Sequence, residues 1–236
     1  MPKENGHAGK ADAPEKPVRV WDLPTRLFHW SIAMLAVFCV VTGKMGLDWM
    51  EIHMIGGYAV LTLVLFRLAW GFAGGRHARF ASFVRGPVTV WRHMAGMLQK
   101  DQPRHLGHNP LGGWAVMAML GALLLQASTG LFANDDIFTE GPLYPLASKA
   151  VSDTLTRIHR WNADAIIALV AIHVLAILFY LIVKRDNLIG PMITGRKMWR
   201  GPAPPAAASL PAAAVIAGLC AGLVFLIVRY APVYLR

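Results

Sequence analysis

Four histidines lie in or at the ends of otherwise apolar stretches of the sequence: His29, His53, His159 and His173. Neutral imidazole is one of the commonest metal ligands in proteins. A single histidine at the end of an apolar stretch is at least as often an ordinary polar residue at a membrane surface. The four histidines together become informative once the depth of each in the membrane is known, and that depth depends on the helices that carry them.

The apolar stretches are long enough to be transmembrane helices, each of which needs about 20 residues to cross the hydrocarbon core of a bilayer. They are residues 27–47, 52–72, 111–132, 161–183 and 211–228. The chain of 236 residues is 56% hydrophobic and only 15% charged, which leaves too few polar side chains to cover a soluble globule. We predict an all-α membrane protein, with a four-helix transmembrane bundle plus a fifth C-terminal transmembrane helix.

The segments between and beyond these stretches divide the chain. We expect a polar N-terminal arm at residues 1–19, the four-helix domain at residues 20–200, a linker rich in proline and alanine at residues 201–210, and an accessory helix with a short tail at residues 211–236. The N-terminal arm has no apolar core, so we expect no cleaved signal peptide.

Lysine and arginine indicate the orientation. The residues before the first apolar stretch include five, the segment between the second and third stretches has six, and the segment after the fourth has five. Such clusters favour the cytoplasmic side. We therefore predict a multi-pass protein of a bacterial inner membrane, with a cytoplasmic N-terminus and a periplasmic C-terminus. The net charge of +10 is interpreted as this topology signal, and we expect membrane lipid as a partner but no nucleic acid.

The helix directions then place the histidines at two depths. His29 lies toward the cytoplasm and His53 toward the periplasm, while His159 and His173 share the fourth helix, fourteen residues apart. That gap corresponds to about 21 Å of rise and returns to nearly the same helix face. We predict that His159 pairs with His53 and that His173 pairs with His29.

Two imidazoles at each level suit iron in a haem, because they fill both axial positions and favour electron transfer over oxygen chemistry. Zinc would need about four ligands at one site. Cys39 and Cys220 are too far apart for a covalent haem attachment motif, so we predict two non-covalent haem b groups. Arg67 could pair with a haem propionate or could snorkel to the lipid head groups.

Several stretches resemble the bacterial cytochrome b561 and nickel-iron hydrogenase b-type cytochrome family. They are Val20-Trp21-Asp22-Leu23-Pro24-Thr25-Arg26 leading to Phe28-His29-Trp30, Arg67-Leu68-Ala69-Trp70-Gly71-Phe72, Gly107-His108-Asn109-Pro110-Leu111-Gly112, Ile158-His159-Arg160 through His173, and Met192-Ile193-Thr194-Gly195-Arg196. The resemblance covers about residues 18–197, and the ligand pattern of the family falls on the same four histidines. It implies a four-helix haem-binding core and quinone chemistry near the inner haem, with His108 and Asn109 as candidate quinone contacts.

The expected function is electron transfer between the quinone pool and a periplasmic partner. If the quinone reacts at the inner haem, the protein also has quinone oxidoreductase activity. The hydrogenase subunits of the family usually have a longer connection between the first two helices than the short segment 46–51, and many members lack the fifth helix. These departures favour a periplasmic c-type cytochrome as the partner. The alternatives are the membrane anchor of a nickel-iron hydrogenase or similar dehydrogenase, and a proton-coupled transporter without haem.

Overall fold

The computed structural model describes residues 14–97, 105–202 and 208–234. Within them it has two short strands and eight α-helices. The strands are β1 (Lys16–Arg19) and β2 (Arg196–Trp199), and the helices are α1 (Leu23–Met45), α2 (Met50–Ala73), α3 (Phe80–Phe83), α4 (Pro87–Ala95), α5 (Pro110–Gly130), α6 (Lys149–Ile182), α7 (Ile189–Thr194) and α8 (Leu210–Tyr234). Residues 1–13 of the N-terminal arm, 98–104 of the segment between the second and third predicted spans, 203–207 of the linker and 235–236 of the tail lie outside the described residues.

Within the described residues, five helices are long and apolar enough to cross a membrane: α1, α2, α5, α6 and α8. This confirms the predicted all-α membrane protein with five spans. Helices α1, α2 and α5 begin and end within a few residues of the predicted apolar stretches, whereas α8 begins as predicted and continues to Tyr234, beyond the predicted end at residue 228. The fourth span differs, because α6 has 34 residues and begins at Lys149 rather than near residue 161.

Helix α2 is the centre of the bundle. It packs against α1, α5 and α8, while α5 also packs against α6. Val60, Leu61 and Val64 are buried in one core cluster with Val224 of α8. Trp70 is buried in a second cluster with Ala213 of the same helix. The fifth helix is therefore packed onto the four-helix bundle along much of its length.

One end of the bundle, which we call the N-terminal face, carries β1, β2, α3, α4 and α7. Strand β1 pairs with β2 in antiparallel register, from Lys16 opposite Trp199 to Arg19 opposite Arg196. The sequence analysis did not predict this sheet. The opposite end, which we call the distal face, carries the α1–α2 connection and the long loop between α5 and α6.

Candidate functional site

The structure brings the four histidines together in two pairs. His29 of α1 and His173 of α6 lie near the N-terminal face, with ring centroids 6.4 Å apart. His53 of α2 and His159 of α6 lie toward the distal face, with centroids 6.2 Å apart. Their role as metal ligands remains a prediction.

The spacing within each pair fits one metal ion between two imidazoles. A metal–imidazole bond is about 2 Å and the ring centroid lies about 1 Å beyond the nitrogen, so two axial imidazoles have centroids about 6 Å apart. Within the described residues no group of three or more histidine, cysteine, aspartate or glutamate side chains could hold a metal ion. Two imidazoles at this spacing are the ligand set that a haem iron takes from a protein with two histidine ligands.

His53 is held by the end of α1. Its Nδ1 lies 3.0 Å from the carbonyl oxygen of Cys39 and 3.3 Å from the hydroxyl of Thr42. A carbonyl oxygen only accepts hydrogen bonds, so Nδ1 carries the proton and Nε2 keeps its lone pair. The ring lies against Gly43, where an added Cβ would come within 3.0 Å of His53 Cε1.

His159 is held in the same way by the end of α5. Its Nδ1 lies 2.9 Å from the carbonyl oxygen of Gln126 and 3.3 Å from the hydroxyl of Thr129. An added Cβ on Gly130 would come within 2.9 Å of His159 Cε1. The side-chain amide of Gln126 lies 3.1 Å from Nε2, and its oxygen accepts a hydrogen bond from Asn162.

The residues of α1 around His53 and those of α5 around His159, which we call the two cradles, share one sequence pattern. Thr42-Gly43 and Thr129-Gly130 are both Thr-Gly pairs near the end of a transmembrane helix, and each faces a histidine on the next transmembrane helix. These Thr-Gly pairs were not predicted from the sequence. The recurrence of Thr-Gly at equal depth in two helices was the signal that could have found them.

The pair near the N-terminal face has different surroundings. His29 Nδ1 is buried and has no hydrogen-bond partner in the described part of the chain. The ring meets Trp30 edge to face, with centroids 5.0 Å apart. This imidazole is oriented by packing rather than by a backbone carbonyl.

Arg67 of α2 is only 2% exposed. One guanidinium nitrogen donates to the carbonyl oxygen of Ala78 at 3.1 Å, and the guanidinium carbon lies 5.0 Å from the ring centroid of Phe80. The other terminal nitrogen, Nη1, is buried without a partner in the described residues. This burial argues against snorkelling, and the unused donor suits a carboxylate such as a haem propionate.

His108 lies at the N-terminal face between Trp21 and Phe83, with ring centroids at 4.7 and 4.5 Å. Burial, followed by the positive charge of Arg67, lowers the pKa of His108 to about 3. Its imidazole is therefore neutral at physiological pH. Its Nδ1 is buried and has no partner among the described residues.

Asn109 has a structural role beside His108. Its side-chain oxygen accepts from the backbone N–H of Gly112 at 2.6 Å and so caps the first turn of α5. Its side-chain nitrogen donates to the Tyr180 hydroxyl at 2.7 Å. Both polar groups are thus engaged within the protein, and a contact between Asn109 and a quinone remains a prediction.

Residues 20–195 match the family model described as prokaryotic cytochrome b561. The similar curated proteins include the "Probable Ni/Fe-hydrogenase B-type cytochrome subunit" of Azotobacter vinelandii, which is 26% identical over 241 residues, covering 85% of this chain and 97% of the relative. The protein of the same description from Rhizobium leguminosarum bv. viciae is 25% identical, covering 83% of this chain and 95% of the relative. That from Cupriavidus necator is 24% identical, covering 78% of this chain and 88% of the relative.

No solved structure matches the chain. The family match extends over the two histidine pairs, Arg67 and the turn that contains His108. It agrees with the five apolar helices of the structure. The chain therefore belongs to the prokaryotic cytochrome b561 family, which consists of membrane cytochromes that bind haem b.

Proposed function

We propose that this chain holds two haem b groups, one between His29 and His173 and one between His53 and His159, and that it passes electrons between a hydrogenase at the distal face and quinone at the N-terminal face. The observation that carries the proposal is the spacing of the two histidine pairs, 6.4 and 6.2 Å between centroids at two depths of one bundle.

The comparisons change the expected partner. The short connection between α1 and α2 favoured a soluble c-type cytochrome. The relatives described as hydrogenase cytochrome subunits match over 78–85% of this chain and up to 97% of their own length. A hydrogenase is therefore the better supported partner. Membership of a cytochrome family leaves the haem-free transporter without support.

Each haem, when bound, supplies a one-electron carrier. The residues of the chain orient and insulate it. Nδ1–H donation to the carbonyl oxygens of Cys39 and Gln126 fixes the orientation of the His53 and His159 rings. The pairs His29–His173 and His53–His159 would each supply two imidazoles to a haem, a ligand set that would favour electron transfer over binding of oxygen.

Quinone would bind at the N-terminal face. There the neutral imidazole of His108 has a buried Nδ1 that no described residue occupies. A neutral imidazole can exchange a hydrogen bond with a quinone carbonyl or a quinol hydroxyl. We propose that this face is cytoplasmic and the distal face periplasmic, as the distribution of lysine and arginine favours.

The first test is the haem count of each ligand variant. The purified wild-type chain should give two haems per chain in a pyridine haemochrome assay and a low-spin Soret spectrum. His29→Ala and His173→Ala should each remove the same haem and leave the midpoint potential of the other unchanged. Matching losses in His29→Ala and His159→Ala would overturn the pairing, and one haem in the wild type would overturn the count.

The second test separates the two partners. In membranes of the source organism, dihydrogen should reduce the haems if the partner is a hydrogenase. Haems that stay oxidised under dihydrogen but are reduced by a reduced soluble c-type cytochrome would restore the alternative. Dithionite serves as the control, because it reduces the haems whichever partner is present.

A further inference from the structure

The loop between α5 and α6 has a rigid tip on the distal face. One carboxylate oxygen of Asp135 accepts three hydrogen bonds, from the backbone N–H groups of Ile137, Phe138 and Thr139, each at 2.9 Å. These bonds hold the pKa of Asp135 well below its usual range. A bridge between Asn134 and Glu140 closes the base of the tip. These bonds fix the backbone of the tip.

The tip is anchored to the first turns of α6. The side chain of Asn134 donates to Ser152 at 2.5 Å and to Asp153 at 3.1 Å, and its backbone N–H donates to the hydroxyl of Thr156 at 3.0 Å. Ser152 is completely buried and donates to the carbonyl oxygen of Phe132 at 2.6 Å. The loop and this part of α6 form one packed unit.

The tip stands clear of the membrane. Asp136 forms an ion pair with Lys149, the first residue of α6, so the tip lies near the level where that helix begins. The apolar part of α6 starts near Trp161, about a dozen residues further on, which corresponds to roughly 18 Å along the helix. Lipid cannot cover side chains at that height.

Two large apolar side chains are nevertheless bare at this tip. Ile137 is 69% exposed and Phe138 is 83% exposed. The neighbouring carboxylates are already engaged, Asp135 by the backbone and Asp136 and Asp153 by Lys149. The chemistry that the tip offers to another molecule is therefore mainly apolar.

A notch lies between the tip and the haem-binding part of α6. It has a volume of about 270 Å³ and is lined by Asn134 and Asp136 of the loop and by Asp153, Thr156, Arg157, Arg160 and Trp161 of α6. Arg160 follows His159 directly in the chain. A side chain seated in the notch would thus lie within one helical turn of a proposed haem ligand. Because Asp136 and Asp153 are already paired with Lys149, the two arginines would favour a carboxylate from the partner.

We propose that Ile137, Phe138 and the adjacent notch form the docking site of the redox subunit that exchanges electrons with the distal haem. This inference rests on the proposed function. The partner that fits is a permanently bound protein with its own metal centre, an apolar recess for Phe138 and a carboxylate for the arginines of the notch. Permanent interfaces are more hydrophobic than transient ones, so the apolar tip fits a stably bound subunit better than a soluble carrier.

The experiment is a photo-cross-link from the full chain in native membranes. A benzophenone amino acid in place of Phe138 should cross-link to one protein that mass spectrometry and metal analysis identify as a redox protein. The matched control places the same amino acid at Trp91, which is 69% exposed but belongs to α4 on the opposite face. It should give no cross-link to that protein. Cross-links from position 138 only to lipid, only to a second copy of this chain, or to nothing would overturn the proposal.

A second variant measures the energetic role of the tip. Ile137→Ser combined with Phe138→Ser should reduce co-purification of the cross-linked subunit roughly tenfold or more, as expected for an interface hot spot. Its haem spectrum and its reduction by dithionite should equal those of the wild type. Undiminished co-purification would overturn the docking site. If the captured subunit is a redox protein other than a hydrogenase, the docking site stands and only the proposed hydrogenase partner fails.

Discussion

At the scale of single residues, the space beside Gly43 and Gly130 controls the two distal imidazoles. Gly130→Ala would bring a methyl group within 2.9 Å of His159 Cε1, closer than such contacts are normally found. The new methyl group is attached to the backbone of α5 and cannot move away from the ring, so the imidazole of His159 must move. We expect the distal haem to be lost or to become partly high-spin, while the haem at His29 and His173 is retained. Optical spectra and a redox titration of the purified variant would measure this.

Gly121→Ala is the matched control. Gly121 belongs to the same helix, and an added Cβ there would meet nothing within 4 Å. Alanine in place of glycine inside a helix otherwise stabilises it by about 1 kcal/mol. A Gly121 variant that loses the same haem, or a Gly130 variant that keeps both with normal spectra, would contradict the steric role of Gly130.

The lowered pKa of His108 predicts that the stability of the folded chain falls at acidic pH, whether or not a ligand is bound. Its pKa in the folded chain is about 3, below the ordinary histidine value of about 6.5, so between these values the unfolded chain binds a proton that the folded chain does not. Stability is therefore lost as the pH falls through this window, by about 1–2 kcal/mol at pH 5. His108→Gln should remove that part of the loss. Unfolding followed by circular dichroism at pH 7.5 and pH 5 measures the difference, and equal acid losses in both proteins would argue against a neutral, buried His108.

At the scale of secondary-structure elements, one ion pair ties β2 to the segment that follows α6. Lys197 lies 2.9 Å from Asp186, with side chains only 9% and 14% exposed, and it also donates to the carbonyl oxygen of His105 at 3.1 Å. Asp186→Asn would leave a nearly buried lysine charge unpaired. We expect a loss of about 3–5 kcal/mol in the free energy of unfolding.

Asp136→Asn provides the comparison for this pair. Its partner Lys149 and Asp136 itself are 53% and 66% exposed, so water already screens the interaction. We therefore expect a much smaller loss in the free energy of unfolding than for Asp186→Asn. Denaturation of both variants under one set of conditions gives the two values, and similar losses would show that burial does not control the strength of these pairs.

Some features of the helices could be predicted from the sequence and others could not. The apolar stretches predicted all five spans, because hydrophobicity over about 20 residues is a strong local signal. The start of α6 was predicted too late, because Lys149–Arg160 is too polar to be recognised as part of a transmembrane helix from its hydrophobicity. Ser148 caps this polar part of the helix, accepting from the backbone N–H of Val151, and the distal loop packs against it. Strand β1 was missed because its four residues carry no alternating pattern, and because its partner β2 lies far along the chain, after α7.

The pairing of the histidines by depth could be predicted from the sequence for a different reason. The direction of each helix and the rise per residue are enough to give a depth for every histidine. The cradles were not reachable, because depth says nothing about which backbone carbonyl faces an imidazole. Only the packing of α1 on α2 and of α5 on α6 brings Cys39 and Gln126 against His53 and His159.

At the scale of the whole molecule, the proposed orientation predicts which face a reagent reaches first. Glu140 is exposed on the distal face and Arg79 is exposed on the N-terminal face. In a chain with Cys39→Ala and Cys220→Ala, a membrane-impermeant maleimide should label Glu140→Cys in intact spheroplasts. It should label Arg79→Cys only after the membrane is opened. The reverse pattern would invert the topology and would exchange the proposed sites of the partner and the quinone.

The two-stranded sheet has a consequence for the order of assembly. Strand β1 leaves the ribosome before the first transmembrane helix, while β2 follows the fourth, α6. At synthesis rates of about 5–20 residues per second, β1 waits on the order of ten seconds or more for its partner. All four histidines have entered the membrane before the sheet can close. A nascent chain halted before residue 196 would thus carry every proposed haem ligand, with the edge of β1 still unpaired at the membrane surface.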